Sequence, residues 1–350
     1  MRDSYRDLRS SRTSYLYFAG HEDVDQRLRQ HIASRRRRWD GSLGYMLIED
    51  GHRILPFGRG LDDGFTAQVL PADVRTEELV LNALVSAHGR VNRLEDGVRN
   101  CVEQLSQELI EGKVVFEVEY FYEADTVDDD SPNSAPSLTT DTGATDDQSR
   151  TRPVAFQLGW ITPGTLGKKW GRQIQYVPAQ FGEKQSARGL HFVELDSANL
   201  VTVDLSRRTR RALERARTVL AAAADQDATP YKFVRAADAA FDMDRFKAER
   251  AKLVLRGTKD VGWGGRGLFD EHMLDPYQIW RHLRFERFKV EVRDAALGGI
   301  NEMLRCAGAR MGFEAKLDLQ GLITGDDLDE AEAALRQGSK PLIDLIRIRA

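Results

Sequence analysis

The stretch Asp275–Gly312 reads DPYQIWRHLRFERFKVEVRDAALGGINEMLRCAGARMG, and the rest of the chain is organised around it. Apolar residues recur in it at steps of three and four, which places them on one stripe of an α-helix. Asp275 is a candidate N-cap, Pro276 then occupies the first helical position, and Gly312 provides the stop. At 1.5 Å per residue such a helix is on the order of 50 Å long. The sequence therefore predicts a rigid strut.

The predicted strut has an apolar face and a charged face. The apolar stripe consists of Phe285, Phe288, Val292, Ala296, Ile300, Met303, Ala307 and Met311. The charged residues that we expect to face water are Arg284, Glu286, Arg287, Lys289, Glu291, Arg293 and Asp294. Helices in proteins are stabilised mainly by packing of such a stripe, so it needs a partner surface. That surface is either other helices of the same chain or neighbouring copies in a ring.

Composition sets broad bounds on the protein. The chain has 350 residues, of which 41% are hydrophobic and 30% charged, with a formal net charge of -4. This is enough apolar material for a substantial core in one large domain or two to three smaller ones. Cys101 and Cys306 fall in helical patterns, which predicts buried thiols. No apolar run reaches membrane-spanning length and the N-terminus lacks a signal-peptide core, so we expect a cytoplasmic or virion protein without membrane contact.

Alternation and β-branched residues predict a small antiparallel β module. Its clearest strand is Lys113–Tyr122, and the predicted partner is Pro153–Ile161. The acidic, Ser- and Thr-rich segment Glu123–Arg150 between them predicts a disordered insertion at the tip of this hairpin. Further short strands are predicted at Ile174–Val177, Gly189–Val193 and Leu200–Leu205. Another hairpin is predicted near the N-terminus, with Gly44–Ile48 and Arg53–Phe57 flanking a turn at Asp50-Gly51.

Helical patterns fill most of the remaining chain. Two or three helices are predicted from Asp73 to Gly112, one opening at Ser206, one at Asp244–Arg256 and a last one ending at Gln337. The fold class is therefore α+β, dominated by the long helix and carrying a small antiparallel β module. We divide the chain into an N-terminal region with a short hairpin (1–72), helices plus the β module (73–205), and a helical domain with the long helix (206–350). Residues 1–14 are polar and charged, and we expect them to be loosely held.

Two basic clusters are candidate contacts for nucleic acid. Arg207, Arg208, Arg210 and Arg211 crowd the first turns of the helix that opens at Ser206, where the macrodipole disfavours cations. Nearby acids that pair with these arginines are the alternative explanation. The glycine-rich loop 257–267 carries Lys259, Trp263 and Arg266, which offer charge and an aromatic face to a polyanion. A flexible connection between helices is the alternative for that loop.

A third basic run, Arg35 to Arg38 followed by Trp39, ends a predicted helix. Its functional interpretation is a phosphate-contacting patch with a stacking aromatic residue. The alternative is a solvated helix end, where the macrodipole favours cations.

No catalytic signature stands out, and no catalytic residue, metal or cofactor is predicted. Glu314 and Lys316 have the E-x-K spacing of one nuclease half-site, but such a site also needs an upstream carboxylate to hold Mg²⁺. No clear partner strand carrying Asp precedes them, so an ordinary exposed pair is the simpler interpretation. The seven histidines show no zinc-binding spacing, and no nucleophile elbow is present.

The order of elements from Leu79 to Met311 resembles bacteriophage portal proteins. In those, a helical segment runs into a strand like Gly112–Tyr120, GKVVFEVEY. A second strand ending in a Pro-containing turn follows, as in Leu158–Thr165, LGWITPGT, and long helices come afterwards. The resemblance implies a ring, usually twelve-fold, through which DNA enters and leaves the capsid. The chain departs from the family in its short length and in lacking a distinct crown region.

The sequence leaves three functional hypotheses. The first is a portal-like structural protein whose partners are its own copies, double-stranded DNA and other virion assembly proteins. The second is a nucleic-acid-binding protein that works without a ring, through Arg35–Arg38 and Arg207–Arg211. The third is a metal-dependent nuclease that uses Glu314 and Lys316.

Overall fold

A computed structural model describes residues 8–15, 26–35, 39, 41–59, 64–84, 93–123, 152–182, 184–228 and 242–347. The helices in these residues are α1 (Gln26–Arg35), α2 (Gly41–His52), α3 (Val74–Ala83), α4 (Leu94–Glu111), α5 (Arg207–Ala228), α6 (Met243–Gly257), α7 (Asp275–Met311), α8 (Gly325–Gln337) and α9 (Leu342–Ile346). The strands are β1 (Leu8–Ser10), β2 (Gly58–Arg59), β3 (Gly64–Leu70), β4 (Val114–Glu123), β5 (Ala155–Ile161), β6 (Leu166–Lys169), β7 (Arg172–Val177), β8 (Lys184–Gln185), β9 (His191–Glu194), β10 (Leu200–Val203) and β11 (Lys316–Gln320).

The fold is α+β, as predicted, with small sheets around a dominant long helix; all strand pairs in these sheets are antiparallel except β2 with β3. Helix α7 runs for 37 residues, about 55 Å. Its stop is confirmed, because Gly312 has a left-handed φ of 74° and its N–H reaches the Gly308 carbonyl. The predicted start is wrong by one residue. Leu274, whose backbone is extended, is the N-cap, so Asp275 and Pro276 are the first two helical residues.

Helix α7 is buried along two stripes rather than one. The predicted stripe packs in the main core, where residues from Phe288 to Ala307 are fully covered. A second stripe, at alternating steps of four and three, consists of Ile279, Leu283, Glu286, Val290 and Arg293. Its apolar members pack against Leu328, Ala331 and Ala334 of α8 and Leu345 of α9. The prediction that Glu286 and Arg293 face water is therefore wrong, because α8 and α9 cover the face on which they lie.

The stripe of the strut finds its partner surface within the same chain. Helices α2 and α4 and strands β4, β10 and β11 all pack on α7. Close approach is possible at Gly299, where a Cβ would lie 2.4 Å from a methyl carbon of Val203. The stripe by itself therefore requires no neighbouring copy.

Strand β4 is the centre of the main sheet. Strand β5 pairs antiparallel with it from Val115 to Phe121, which confirms the predicted hairpin partners. Strands β1 and β10 pair antiparallel with the two ends of its other edge. A second sheet has the order β11-β3-β2, and a third has the order β6-β7-β9-β8. The predicted strand at Leu200–Leu205 thus belongs to the main sheet, whereas the two before it form the small β module.

The predicted hairpin at Gly44–Phe57 is wrong, because Gly41–His52 forms helix α2. The buried positions Leu43, Leu47 and Ile48 follow helical spacing. Glycines within the segment hid this pattern, since glycine is a poor helix former. Gly51 lies at a tight contact: a Cβ there would lie 3.0 Å from the Ile110 side chain and 3.2 Å from Phe288.

The first described residues form a bound segment, residues 8–15, which we call the N-terminal strap. Glu117 of β4 is fully buried and accepts hydrogen bonds from Thr13 N, Thr13 Oγ1 and Ser14 N at 2.9, 2.6 and 2.8 Å. Gln175 of β7 bonds both the N–H and the carbonyl of Tyr15. The strap therefore links the main sheet to the small module, and the expectation that this part of residues 1–14 is loosely held is wrong.

The main core draws residues from all three ranges into which we divided the sequence, for example Leu47, Leu105 and Ile300. Two smaller clusters each lie within one range, around Val115 and Ile161 in 73–205 and around Ile279 and Leu328 in 206–350. The division into the ranges 1–72, 73–205 and 206–350 stays a prediction. Residues 124–151, which hold nearly all of the predicted disordered insertion, lie outside the described residues. Among the described helices, none is long and apolar enough to span a membrane.

Both cysteine thiols are expected to react slowly in the folded protein. Burial raises the pKa of Cys101 to about 12, and burial together with Glu302 raises the pKa of Cys306. Because the thiolate is the reactive species, Ellman's reagent at pH 8 should modify Cys101 only after unfolding. The measurement is the rate of absorbance change with and without denaturant. Rapid modification of Cys101 in a Cys306→Ser variant without denaturant would contradict this burial.

Candidate nucleic-acid interface

A cleft of about 560 Å³ opens where the start of α5 meets α7, and six arginines line it. We call it the arginine cleft. The arginines are Arg207, Arg208, Arg211, Arg215, Arg284 and Arg287. Ala212, Val261 and Phe288 supply apolar surface, and Asp260 and Glu291 are its two carboxylates. Three of the four arginines predicted from the first turns of α5 are thus brought together, with three more that the sequence pattern did not connect to them.

The start of α5 is fixed by a local cap. Ser206 Oγ accepts from Thr209 N at 3.2 Å, as predicted for an N-cap residue. Thr209 Oγ1 donates to Glu291 of α7 at 2.5 Å, which joins the cap to the long helix. Arg207, Arg208 and Arg211 are exposed and form no ion pair with any other residue that the structure describes. The alternative that nearby acids pair with them therefore fails for these three.

The two carboxylates of the cleft are already engaged. Asp260 pairs with Arg215, and Glu291 accepts from Thr209 Oγ1 and the Ser206 N–H. Arg287 is held by Asp329 at 2.6 Å and by Glu332 at 3.4 Å, both on α8. Six arginines therefore face four carboxylates, those of Asp260, Glu291, Asp329 and Glu332, so the cleft has a surplus of positive charge. The positive end of the α5 macrodipole adds to the attraction for an anion.

Arg210, the fourth predicted arginine of α5, is not in the cleft. Its guanidinium donates to the carbonyls of Leu109 and Gly112 at the end of α4 and pairs with Asp204 at 2.6 Å. A cation at the C-terminal end of a helix satisfies otherwise unpaired carbonyls. Arg210 is therefore a structural link between α4 and α5 that lies outside the arginine cleft, and its contact with nucleic acid stays a prediction.

The three residues predicted as contacts in the glycine-rich loop 257–267 have different environments: two are held by other side chains, and one is exposed. Trp263 is 1% exposed and donates its indole N–H to Asp50 at 2.8 Å, so the predicted aromatic face is not available for stacking. Arg266 is held by Asp50 and Glu49 of α2, and this pairing raises its pKa while the pKa of Glu49 is lowered. Lys259 is exposed beside Asp260 of the cleft, with its Nζ 6.0 Å from the centre of the Trp280 ring.

A buried arginine that the sequence interpretation missed holds this loop. Arg281 of α7 is 1% exposed and donates to Leu255 O at 2.9 Å, Thr258 Oγ1 at 2.7 Å and Trp263 O. Burial lowers its pKa and the Tyr277 side chain partly opposes that shift; the guanidinium carbon lies 5.8 Å from the centre of the Tyr277 ring. Position 281 lies four residues before Phe285 on the predicted stripe, so helical spacing could have identified it as buried. By holding residues 258 and 263, Arg281 fixes the loop that carries Asp260 and Val261 into the cleft.

The remaining predicted sites are the basic run before Trp39 and the Glu314–Lys316 pair, and the described residues do not form either site. Trp39 is 5% exposed in the main core, so it is not a stacking aromatic, and the side chains of Arg35–Arg38 lie outside the described residues. Glu314 precedes β11, which begins at Lys316, and β11 pairs only with β3 in the described sheet. No group of three or more His, Cys, Asp or Glu residues in the described parts of the chain could hold a metal ion.

Comparison with known proteins adds no relationship to these observations. No protein-family model matches the chain, and no curated protein sequence matches it.

Proposed function

We propose that this protein binds the phosphate backbone of double-stranded DNA through the arginine cleft, as a structural protein. The observation that carries the proposal is the convergence of six arginines on one cleft whose two carboxylates are already engaged. Guanidinium groups bind phosphate oxygens in pairs of parallel hydrogen bonds, which makes arginine the side chain most suited to this contact. Phosphate contacts of this kind position a protein on DNA without reading its sequence.

A polymeric ligand fits the cleft better than a small anion does. Arg207, Arg208 and Arg211 are exposed on consecutive turns at the start of α5, and Lys259 extends the charge along the adjoining loop. A charged surface of this extent can contact several successive phosphates of a nucleic-acid backbone, because these phosphates repeat at short intervals. The apolar lining is limited to three residues, which offers little to a small organic ligand.

A portal-like ring is the assembly that we propose for this DNA contact. It rests on the order of elements that resembles bacteriophage portal proteins, with strands β4 and β5 followed by long helices. In a ring, a modest contact from each subunit is repeated around the duplex, so the total affinity exceeds that of one cleft. Mass photometry with and without duplex DNA tests this assembly. A monomer at micromolar concentration that forms no larger species with DNA would leave the cleft proposal intact and remove the ring.

The arginine cleft is tested by neutralising its three exposed, unpaired arginines together. The Arg207→Gln, Arg208→Gln, Arg211→Gln variant should bind duplex DNA about tenfold to a hundredfold more weakly at physiological salt. The slope of log affinity against log salt should become shallower by roughly 3, because about one counterion is released for each phosphate neutralised. Fluorescence anisotropy with one labelled duplex over a range of salt concentrations provides both quantities.

A matched control changes the same net charge elsewhere. Arg9, Arg75 and Arg93 are exposed and lie outside the cleft, so their triple glutamine variant should keep the wild-type salt slope. Equal slopes for the cleft variant and the control would show that only net charge matters and would overturn the proposal. Circular dichroism of both variants checks that the fold is retained.

A further inference from the structure

The hairpin between β6 and β7 presents an exposed tryptophan at its tip. Lys169 and Arg172 are cross-strand partners, so Trp170 and Gly171 alone form the loop. The Trp170 side chain is 85% exposed, although large aromatic residues are usually covered. The stem of the hairpin is firmly packed, because Ile174 and Phe192 beneath it are each 1% exposed. The ring is therefore carried on a rigid support into solvent.

The backbone at this tip is unfavourable for tryptophan. Trp170 has a φ of 48° and Gly171 a φ of 81°, the positive values that a type I′ turn requires. Asn-Gly is the preferred pair in such a turn, and a bulky residue in the left-handed region is strained. The hairpin would thus be more stable with asparagine at this position. Strain that a simple substitution would remove is characteristic of residues whose side chain is needed for function.

Positive charge surrounds the exposed ring. Lys168 and Lys169 precede Trp170 and Arg172 follows Gly171. Lys169 Nζ lies 4.6 Å from the centre of the Trp170 ring and 4.3 Å from that of Phe192, so it stays beside the ring. Glu194 is the nearby acid, and its ion pairs with Lys184 at 2.6 Å and Arg172 at 2.7 Å lower its pKa and neutralise its charge. The tip is consequently an aromatic plane inside a cationic rim.

We propose that the Trp170 hairpin stacks on an unpaired nucleic-acid base while Lys168 and Lys169 contact the flanking phosphates. This inference rests on the proposed binding of nucleic acid and adds a second contact of a different kind. A flat aromatic ring with adjacent cations matches a base with adjacent phosphates. A lipid surface matches less well, because stable membrane attachment needs more apolar material than one side chain, and the neighbours of Trp170 in the tip are cations and glycine.

The decisive variant is Trp170→Asn, which should weaken single-strand binding while it stabilises the fold. We expect affinity for a fluorescein-labelled oligo(dT) of about 20 nucleotides to fall roughly 5- to 150-fold, the range expected for loss of one base–aromatic stack. We expect the melting temperature to rise by roughly 1–2 °C, because asparagine tolerates the left-handed backbone. A combination of lost binding and raised stability cannot come from misfolding. Trp170→Phe should retain part of the affinity.

Tyr45→Ala is the matched control, since Tyr45 is another aromatic residue that is 66% exposed and lies on α2. It should bind oligo(dT) like the wild type. Unchanged oligo(dT) affinity in Trp170→Asn would overturn the inference. It would also be overturned if that variant lost binding to phosphatidylserine-containing vesicles but kept the oligonucleotide. The cleft is assessed separately, because its arginine variant is tested on duplex DNA, which offers no unpaired base.

Discussion

Replacing Arg281 with alanine should lower the melting temperature by roughly 5 °C, the largest effect expected of any single substitution considered. The change removes the donors to Leu255 O, Thr258 Oγ1 and Trp263 O, all of which are buried. Trp263 O keeps the hydroxyl donor of Thr258, but Leu255 O and Thr258 Oγ1 lose the guanidinium donors described above. A buried acceptor left without its donor costs about 1–3 kcal/mol, and the cavity left by the side chain adds to this. We expect a total of about 4 kcal/mol, which for a protein of this length corresponds to about 5 °C. Differential scanning calorimetry measures the shift.

Two further variants distinguish the role of the Arg281 hydrogen bonds from that of its charge. Arg281→Lys keeps a cation but has too few donors in the right directions, so its melting temperature should fall between wild type and alanine. Arg305 lies on the same helix but is exposed, and its carboxylate partner is Glu302 one turn away. Arg305→Ala should therefore leave the melting temperature unchanged. An Arg281→Ala variant as stable as Arg305→Ala would contradict the hydrogen-bond pattern.

The second large effect is expected for Glu117→Ala, which should release the N-terminal strap. Without the carboxylate, the Thr13 and Ser14 N–H groups lose their acceptors, at an expected cost of about 3 kcal/mol. Arg12 in the strap is held by the Trp160 carbonyl at 3.1 Å, which protects the adjacent peptide bond in the wild type. Trypsin should then cut after Arg12 much faster in the variant. Mass spectrometry of timed digests identifies the cleavage position.

Glu314→Ala is the control for this experiment, because Glu314 is exposed and accepts none of the hydrogen bonds that hold the strap. Its digestion should match that of the wild type. Equal cleavage after Arg12 in all three proteins would show that the strap is held by something other than Glu117. The same variant also tests the nuclease hypothesis, since loss of a metal-dependent DNA cleavage in Glu314→Ala would revive it.

The long helix could be predicted from the sequence because the residues that specify it lie within the helix itself and at its ends. A period of three and four, a glycine stop and alternating charges are all visible within Asp275–Gly312. The pairing of β4 with β5 could be predicted for the same reason, because both strands are rich in β-branched and aromatic residues. In contrast, the second stripe of α7 contains Glu286 and Arg293. These two polar residues interrupt the apolar pattern, so the stripe is not recognisable in the sequence. Its burial depends on α8 and α9, whose residues lie more than thirty positions away.

The candidate site could be predicted only in part, because its assembly depends on contacts between residues that are distant in the sequence. The sequence indicated the four arginines at the start of α5, but it did not show which of them point into a common cleft. Arg210 turns to the end of α4, and Trp263 is covered by Asp50, a residue 213 positions earlier. Neither partner can be identified from local pattern. Arg284 and Arg287 were predicted only to face water, since their convergence with α5 depends on how two helices cross.

The pairing of β3 with β11 has a consequence for how the chain folds during synthesis. Gln68 and Asp318 face each other in that sheet, although 250 positions separate them. At roughly 5–20 residues per second, a ribosome needs about 12–50 s to supply the second strand after the first. Throughout that interval β3 has an unpaired edge, the feature of a sheet that most readily recruits other chains. Slower folding follows from contacts of such long range, because the loop between the two strands must close before they can pair.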